Sequence, residues 1–355
     1  MNHPLCCVAS GSGGHIIPCI TFAKQHAQHT QQPLLFIGNN DHLDTTIKQH
    51  YTFISSSVTI NIPKVPYANW WKLPFFMYKM IAAFFKSLYI LYRHKPTRVI
   101  STGGYLSIPV CLAAFCLRIP IDLFELNAEP GRTIQCIAPL ATQLFICFKE
   151  TQQFFKQKAL LTTYPLRFTQ ADKRPITPKK PTLLILGGSQ GSAFLNTMFE
   201  QGSVDYLQAY TIIHQAGVHD KQRVEEFYAR HGIDAVVFAF HHQLADYYNQ
   251  ASLIICRAGA GTIFETLFFE KPCIIIPLTT NITAHQKHNA YAAAHDYPEL
   301  VTVLLQDDII KNINLLQETI QKKLENRWAE QTHSSDLPNN KAATDSNLQD
   351  HTTSY

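Results

Sequence analysis

Short apolar runs alternate with longer segments of mixed polarity along most of this chain, which is the pattern of buried parallel strands connected by helices. An apolar run predicts a first strand at Leu5–Ala9, and a glycine-containing loop follows it. A helix is then predicted over Ile16–Gln28, before a second strand at Pro33–Gly38. This order is the opening of a doubly wound α/β fold.

The same order begins again in the second half of the chain. A strand is predicted at Thr182–Leu186, followed by a glycine loop at residues 187–192 and a helix that begins at Ala193. Further strands are predicted at Tyr210–His214, Ala235–Phe238, Leu253–Cys256 and Cys273–Pro277. We therefore expect two Rossmann-like domains, with a ligand cleft where the carboxyl ends of their strands face each other.

Domain limits follow from composition. We expect a first domain over residues 1–168 and a second over 169–328, with the proline-containing stretch Thr169–Pro181 as the linker. Residues 329–355 are rich in Ser, Asn, Asp and Thr, and we expect this tail to be mostly disordered. A chain of 355 residues, 46% of them hydrophobic, is long enough to fill two cores.

Cysteine usage indicates the compartment. The nine cysteines form no C-x-x-C pair and mostly lie in apolar runs, which favours reduced, buried thiols over disulfides or a zinc site. Residues Ser10–Gly14 interrupt the first hydrophobic run, so the N-terminus does not have the pattern of a signal peptide. Both observations predict a protein that stays in the cytoplasm.

The net charge of +4 is unevenly distributed, because no acidic residue occurs between Asp44 and Asp122. The cations of this span are Lys48, Lys64, Lys72, Lys79, Lys86, Arg93, Lys95, Arg98 and Arg118. They are interleaved with the aromatic residues Trp70, Trp71, Phe75, Phe76, Phe84, Phe85 and Tyr89.

Two interpretations of this basic aromatic segment are open. Pro74 and the interior lysines argue against a spanning helix, whereas an apolar face edged by lysine suits a helix that lies in an anionic membrane surface. The alternative is a core helix whose lysines point to solvent. Nucleic acid is not expected as a partner, because no recognised binding motif accompanies the charge.

The stretch from Arg257 to Glu265 carries the most specific chemistry. Its glycines connect the predicted strand Leu253–Cys256 to a helix predicted over Thr262–Phe269, and such a turn leaves backbone N–H groups free to bind a diphosphate. Glu265 follows near the helix start, where its two oxygens could accept both hydroxyls of a ribose. The alternative is an ordinary helix start with an acid nearby.

Other nucleotide chemistries are disfavoured by what the loops lack. The first loop, Ser10–His15, differs in spacing from G-x-G-x-x-G, and Gly38-Asn39-Asn40 stands where a dinucleotide site needs an acid. The chain has no Walker lysine loop, and no Asp-x-Asp pair lies near a strand end. We therefore expect no cofactor and no metal, and a diphosphate neutralised by helix ends with Arg167 or Arg257.

Five motifs occur in a characteristic order and spacing. They are Gly11–His15 with Pro18, Thr102–Tyr105 with Pro109, Glu125 with Asn127, Leu186–Gly191, and Arg257–Glu265 followed by Pro277, His285-Gln286 and Asn289-Ala290. Over roughly residues 5–290 this arrangement resembles the MurG family of glycosyltransferases.

The resemblance implies a GT-B fold and a function in peptidoglycan synthesis, in which UDP-N-acetylglucosamine donates its sugar to an undecaprenyl-pyrophosphoryl-N-acetylmuramoyl pentapeptide. It also implies a peripheral position on the cytoplasmic face of the cell (inner) membrane. Two other functions stay open: a GT-B transferase that glycosylates diacylglycerol, and a membrane-bound UDP-sugar-binding protein without turnover.

The resemblance further implies which residues contact the donor. These are Ser12, Gly13, Gly14, Asn127, Arg167, Ser189, His241, Ala260, Gly261, Thr262, Ile263, Phe264, Glu265 and Gln286. Asn127 and Gln286 would meet the sugar, and Arg167 and Ser189 the nucleotide. The segment from Ala260 would cradle the α-phosphate, Glu265 would bind ribose, and the backbone of His241 would pair with uracil.

Three places depart from the family pattern. Ser12 stands where threonine is usual, Phe124 and Leu126 replace polar residues, and Ala258 replaces a serine. These changes affect the hydrogen bonding around the acceptor and the phosphates, and Ser12 keeps the hydroxyl of threonine without its methyl group.

Inverting transfer needs a base for the acceptor hydroxyl. His15 is the first candidate, because it follows a loop that points into the cleft and an imidazole pKa near 6.5 suits proton removal near neutral pH. The alternative for His15 is a helix-start residue that only hydrogen-bonds a ligand. Glu125 is the second candidate for a catalytic role, and it is equally compatible with a buried structural carboxylate.

Overall fold

Two parallel sheets organise the chain. The computed structural model describes residues 3–10, 13–39, 54–63, 66, 69–174, 176, 178–188, 191–200, 204–241, 243–278, 284–312 and 314–335. Within these ranges, all strand pairs of both sheets are parallel.

The first lobe is built on a seven-stranded sheet in the order β3-β2-β1-β4-β5-β6-β7. Its strands are β1 (Leu5–Val8), β2 (Leu34–Gly38), β3 (Ser56–Thr59), β4 (Arg98–Ser101), β5 (Ile121–Glu125), β6 (Gln143–Ile146) and β7 (Leu160–Leu161). Its α-helices are α1 (Gly13–Thr30), α2 (Leu73–His94), α3 (Ser107–Cys116) and α4 (Arg132–Ile137). Strands β1 and β2 are buried along their whole length, as continuous apolar strands covered by helices on both faces should be.

The second lobe is built on a six-stranded sheet in the order β10-β9-β8-β11-β12-β13. Its strands are β8 (Thr182–Leu186), β9 (Thr211–Gln215), β10 (Ala235–Phe238), β11 (Leu253–Cys256), β12 (Cys273–Ile275) and β13 (Val301–Val303). Its α-helices are α5 (Ala193–Thr197), α6 (Lys221–Arg230), α7 (Ala245–Gln250), α8 (Ala260–Phe268), α9 (Ala284–Asp296), α10 (Gln306–Lys311) and α11 (Leu315–Ser335).

This topology confirms the predicted pair of doubly wound sheets. In each sheet the strand order reverses direction next to the first strand, between β1 and β4 in one lobe and between β8 and β11 in the other. Ligands of open α/β sheets bind outside the carboxyl ends of strands at such reversal points. The loops after these four strands are therefore the place to look for the site.

The lobes share part of their hydrophobic core. One cluster of buried side chains combines Ile16 and Phe148 of the first lobe with Ala260 of the second, and Phe264 packs against it. The ring of Tyr164 stacks on that of Phe264, with ring centroids 4.9 Å apart and planes at 16°. The contact between the lobes is thus made by apolar packing as well as by polar groups.

Helix α2 is apolar on two sides, whereas a helix at the edge of a core needs only one apolar side. Its residues Ala83, Ser87, Ile90 and Leu91 are buried against the first lobe, while large apolar side chains cover the opposite side. The exposed ones on and just before the helix are Trp71, Leu73, Phe75, Met77, Tyr78, Ile81, Phe85, Tyr89 and Tyr92.

This orientation corrects the predicted membrane face at two positions. Phe76 and Phe84 pack against the core of the first lobe, because they share the helix side of the buried residues. Of the described helices, α2 is the one long and apolar enough to span a membrane by length and composition.

The last helix reaches into the segment predicted as a polar tail. The tail over residues 329–355 was predicted to be mostly disordered, and α11 continues into its first part, to Ser335. Leu316, Ile320 and Leu324 recur every four residues and anchor the helix in the second core, and good helix formers between residues 324 and 331 extend it. Residues 336–355 lie outside the described part of the chain.

Candidate functional site

The first wall of the cleft is formed by the loops after β1 and β4. These loops approach each other closely at Gly104, whose φ is +89° and where a Cβ atom would lie 2.4 Å from the carbonyl oxygen of Ser10. Only glycine fits here, because the backbone conformation disfavours a side chain and another backbone atom occupies its space. The approach fixes the start of α1 relative to the end of β4.

His15, in the first turn of α1, is held by Thr102 in the loop after β4. Its Nδ1 lies 3.0 Å from the carbonyl oxygen of Thr102, and the Thr102 hydroxyl donates to the carbonyl oxygen of His15 at 2.7 Å. A carbonyl oxygen can only accept, so the proton of neutral His15 is on Nδ1 and the basic lone pair is on Nε2.

The surroundings keep His15 unprotonated at neutral pH. Burial lowers the pKa of His15 below its usual value, and His285 at the start of α9 lowers it further, while the bond to Thr102 opposes both. His15 is therefore a neutral imidazole with a defined tautomer. That is the state in which a histidine can remove a proton.

Glu125, at the end of β5, is buried and fully engaged with its own loop. One oxygen, Oε1, accepts from the backbone and side-chain nitrogens of Asn127 at 2.9 and 3.2 Å, and the other accepts from the Gly131 N–H at 2.8 Å. Burial raises the pKa of Glu125 to about 7, against these hydrogen bonds, which lower it. Of the two predicted alternatives, this geometry favours a structural carboxylate that orients Asn127.

Asn127 is tied to the second lobe through Asn289 of α9. The Asn289 amide donates to Oδ1 of Asn127 at 3.1 Å and to the carbonyl oxygen of Ala258 at 3.2 Å, and its own oxygen accepts from the Ala128 N–H at 2.8 Å. Because Asn289 is fully buried, both ends of its amide are fixed by these bonds. One side chain thus links the loop after β5 with the loop after β11.

The second wall contains the start of α8. Gly259 precedes this helix in an extended conformation, and the Ile263 N–H donates to the Gly259 carbonyl oxygen at 3.0 Å. Among the described residues, no side chain caps this end, so helix geometry leaves the N–H groups of Ala260, Gly261 and Thr262 without an intrahelical acceptor. Three amides and the positive end of a helix are suited to an anion.

Two of the residues predicted to contact the donor point their side chains elsewhere. Ile263 is buried in the second lobe, and Phe264 packs between the rings of Phe148 and Tyr164 of the first lobe. Only their backbone groups remain for a ligand. At Gly261, an added Cβ would come within 3.1 Å of the Tyr164 hydroxyl, so this position also serves the contact between the lobes.

Glu265, in the second turn of α8, is paired with Arg167. Nε of Arg167 donates to Oε1 at 2.8 Å and Nη2 donates to Oε2 at 3.2 Å, so two residues 98 positions apart in the chain form a two-pronged ion pair. The Tyr248 hydroxyl donates to Oε2 at 2.9 Å. Both carboxylate oxygens predicted to accept ribose hydroxyls already have partners within the protein.

The donors of Arg257 are bonded within the second lobe. Its guanidinium donates to the Ser192 hydroxyl at 2.8 Å, to the Ile276 carbonyl oxygen at 3.1 Å and to the Gln306 side chain at 3.1 Å. It is 8% exposed, and burial lowers its pKa to about 10. Of the two arginines predicted to neutralise a diphosphate, Arg257 therefore has a structural role, because its donors hold three segments of the second lobe together.

The remaining predicted residues are distributed as follows. Gly13 and Gly14 begin α1, and Gln286 in the first turn of α9 accepts from the Leu278 N–H at 3.1 Å. His241 lies three residues beyond β10, with its ring bonded to Gln243. Ser12 and Ser189 lie outside the described residues.

One group has metal-ligand spacing in the part of the chain that the structure describes. It consists of Glu150, His295 and Asp296, whose donor atoms lie within 4.8 Å of one another. Two of the three side chains are exposed, and none belongs to the predicted donor site.

Sequence reasoning missed Tyr248 and the full role of Asn289. Asn289 belonged to a motif, so its importance had a signal in the sequence, although its partners did not. Tyr248 had none, because an aromatic residue on a short helix is indistinguishable from core packing until Glu265 is found beside it.

Both lobes match models of known protein families. Residues 5–146 match the glycosyltransferase family 28 N-terminal domain, and residues 182–349 match the glycosyltransferase family 28 C-terminal domain. A relative from Geobacter metallireducens is 33% identical over 297 residues, covering 79% of this chain and 80% of its own length. One from Lawsonia intracellularis is 33% identical over 305 residues, covering 82% and 81%.

Both relatives are named UDP-N-acetylglucosamine--N-acetylmuramyl-(pentapeptide) pyrophosphoryl-undecaprenol N-acetylglucosamine transferase. Among solved structures, the crystal structure of Acinetobacter baumannii MurG is similar, with a TM-score of 0.69 and 27% sequence identity. The similarity covers 89% of this chain and 90% of that one.

Proposed function

The chain belongs to the MurG family within glycosyltransferase family 28, and on that premise we propose that it transfers N-acetylglucosamine from UDP-N-acetylglucosamine to the 4-hydroxyl of the muramoyl sugar in undecaprenyl-pyrophosphoryl-N-acetylmuramoyl pentapeptide. The product is the disaccharide lipid used for peptidoglycan, so the activity would support cell-wall growth, cell shape and division.

The observation that carries this proposal is the contact between two helices of different lobes, whose residues Ile16 and Ala260 belong to one buried cluster. Helix α1, with His15 in its first turn, contacts helix α8, whose first three N–H groups have no intrahelical acceptor. This contact supports the proposal that a base from one lobe and an anion cradle from the other serve one reaction centre. A transferase that separates a sugar from a diphosphate needs these two groups together.

The proposed step follows from these groups. Nε2 of His15 takes the proton from the acceptor 4-hydroxyl while that oxygen bonds to the anomeric carbon of the donor. The bond from the anomeric carbon to the β-phosphate oxygen breaks, its electron pair leaves with UDP, and the configuration inverts. The amides at the start of α8 stabilise the departing diphosphate, as fixed N–H groups do for other developing anions.

The donor contacts belong to the same proposal. Arg167 and Ser189 hold the nucleotide, Glu265 reads the ribose, and the backbone of His241 faces uracil. Asn127 and Gln286 meet the transferred sugar, and Ser12, Gly13 and Gly14 line the cleft. Asn127 is supported in this role by its two fixed partners, Glu125 and Asn289, which set the direction of its amide.

We further propose that the protein is a peripheral protein of the cytoplasmic face of the cell membrane and docks there through α2. The outer side of this helix presents Phe75, Tyr78, Phe85 and Tyr89, each more than half exposed. Lys72 and Lys79 lie beside them and would attract anionic headgroups. A lipid-linked acceptor would then meet the cleft from the bilayer.

One incubation tests the function. Purified protein is mixed with labelled UDP-N-acetylglucosamine and either the muramoyl-pentapeptide lipid or diacylglycerol, and products are separated by chromatography. We expect label in a disaccharide lipid only with the first acceptor. Label on diacylglycerol, or donor binding without any product, would replace this proposal by one of the two alternatives.

A further inference from the structure

Tyr248 of α7 is held in one orientation by its surroundings. It is fully buried, and its ring stacks on Phe269 with centroids 4.9 Å apart and planes at 1°. Phe168 meets the same ring edge-on at 5.8 Å and 72°. The hydroxyl therefore cannot swing to a different partner without breaking two ring contacts.

The Tyr248 hydroxyl is an obligate donor to Glu265. It lies 2.9 Å from Oε2, and burial followed by the nearby carboxylate raises the pKa of Tyr248 well above its usual value, so the hydroxyl stays protonated. A buried tyrosine hydroxyl generally requires a partner. Here that partner is the carboxylate assigned to the ribose.

Counting acceptor sites shows what the tyrosine does for Glu265. A carboxylate offers about four lone-pair positions, two on each oxygen. Oε2 accepts from both Arg167 and Tyr248, whereas Oε1 accepts only one of the hydrogen bonds described here, from Arg167. The oxygen with remaining capacity for a ligand is thus Oε1, and Tyr248 holds the other.

We propose that Tyr248 is a positioning residue for donor recognition, which fixes the Glu265 carboxylate so that Oε1 is presented to a ribose hydroxyl. This inference rests on the proposed role of Glu265. It adds a function to a side chain that would otherwise count only as core. Removing the hydroxyl leaves the ring contacts in place but leaves the carboxylate held by Arg167 alone, with an acceptor position on Oε2 vacated.

The test compares UDP with 2′-deoxy-UDP in calorimetric binding. In the wild type, we expect UDP to bind more tightly than the deoxy form. In Tyr248→Phe this preference should shrink by about threefold to tenfold, the value of one hydrogen bond. The KM for UDP-N-acetylglucosamine should rise in parallel, and the KM for the lipid acceptor should stay constant.

A matched control is available in the same lobe. Tyr228 is also buried, and its hydroxyl bonds Nδ1 of His214 at 3.0 Å, away from Glu265. Tyr228→Phe should lower the urea midpoint about as much as Tyr248→Phe does, while keeping the full preference for UDP. A purely structural role for Tyr248 predicts that the two variants behave alike in binding.

A double variant tests whether Tyr248 acts through Glu265. Adding Tyr248→Phe to Glu265→Gln should reduce the preference for UDP no further than Glu265→Gln alone, because the partner has already been changed. Independent, additive losses would overturn the proposal, and so would a full preference for UDP in Tyr248→Phe. A wild type that binds both nucleotides equally would instead remove the proposed ribose role of Glu265, and with it the positioning role of Tyr248. The transferase function is tested separately by the incubation with the lipid acceptor.

Discussion

Removing the outward aromatic face of α2 tests whether this helix docks the protein on a membrane. The variant carries Phe75→Ser, Tyr78→Ser, Phe85→Ser and Tyr89→Ser, at positions that are 57%, 64%, 61% and 65% exposed. The inward residues Ala83, Ser87, Ile90 and Leu91 are unchanged, so the packing of the helix on the first lobe is retained.

The expected loss follows from the exposed area. Complete burial of a Phe-sized side chain contributes about 1.5–3 kcal/mol, and about three fifths of that is available at each position, so the four together contribute roughly 4–7 kcal/mol. Even the lower figure corresponds to a decrease of roughly a thousandfold in partitioning. The lysines contribute about 1 kcal/mol each near an anionic surface, which is too little to hold the variant there.

The assay is co-sedimentation with vesicles of phosphatidylcholine and anionic phosphatidylglycerol. The variant should stay in the supernatant, show a raised KM for the lipid acceptor in vesicles, and bind UDP as the wild type does. A control with Tyr291→Ser and Tyr297→Ser removes aromatic side chains of the second lobe that are 47% and 46% exposed, and should sediment normally. Retention of the α2 variant at wild-type level would refute docking through this face.

Three further predictions concern the cleft and the second core. His15→Ala should lower turnover by about 10²–10⁴-fold and leave UDP binding intact in calorimetry. Because burial lowers the pKa of His15, the acid-side midpoint of kcat/KM in the wild type should lie below pH 6.5, and a midpoint above that value would contradict a His15 base. Gly104→Ala should destabilise the protein by roughly 1–3 kcal/mol of backbone strain and lower its turnover, because an added Cβ would displace the loop that holds Thr102 and His15. Melting temperatures and steady-state rates check the two effects. Burial lowers the pKa of His214 to about 3, so its contribution to stability is complete above pH 6.5 and decreases as the pH falls below that value; from pH 7.5 to 5.0, urea unfolding should show the wild type losing about 2 kcal/mol more than His214→Gln.

The sequence predicted the frame of this protein well, because buried parallel strands leave an unmistakable apolar run. Strands β8, β10 and β11 have the bounds predicted for them, and the loops after β1 and β11 lie at the reversal points of their sheets. Chain order and strand length are local properties. Local properties are what a pattern of apolar and polar residues records.

Side-chain partners were beyond such a pattern. The sequence alone does not distinguish Arg167 from Arg257 as a partner for a diphosphate. In the structure Arg167 pairs with Glu265, whereas Arg257 is surrounded by acceptors inside the second lobe. The sequence indicated an apolar face edged by lysine on α2, but could not say that Phe76 and Phe84 face inward. Both outcomes depend on contacts between residues distant in the chain.

The apolar cluster shared by the two lobes limits how this enzyme can be recombined. Phe264 of the second lobe packs on Tyr164 and Phe148 of the first, so either lobe produced alone would expose apolar surface to water. A chimera that takes its second lobe from a distant transferase must carry, at the position of Phe264, an aromatic side chain that packs against the first lobe. Exchange of specificity between such enzymes should therefore succeed more readily by grafting loops than by swapping halves.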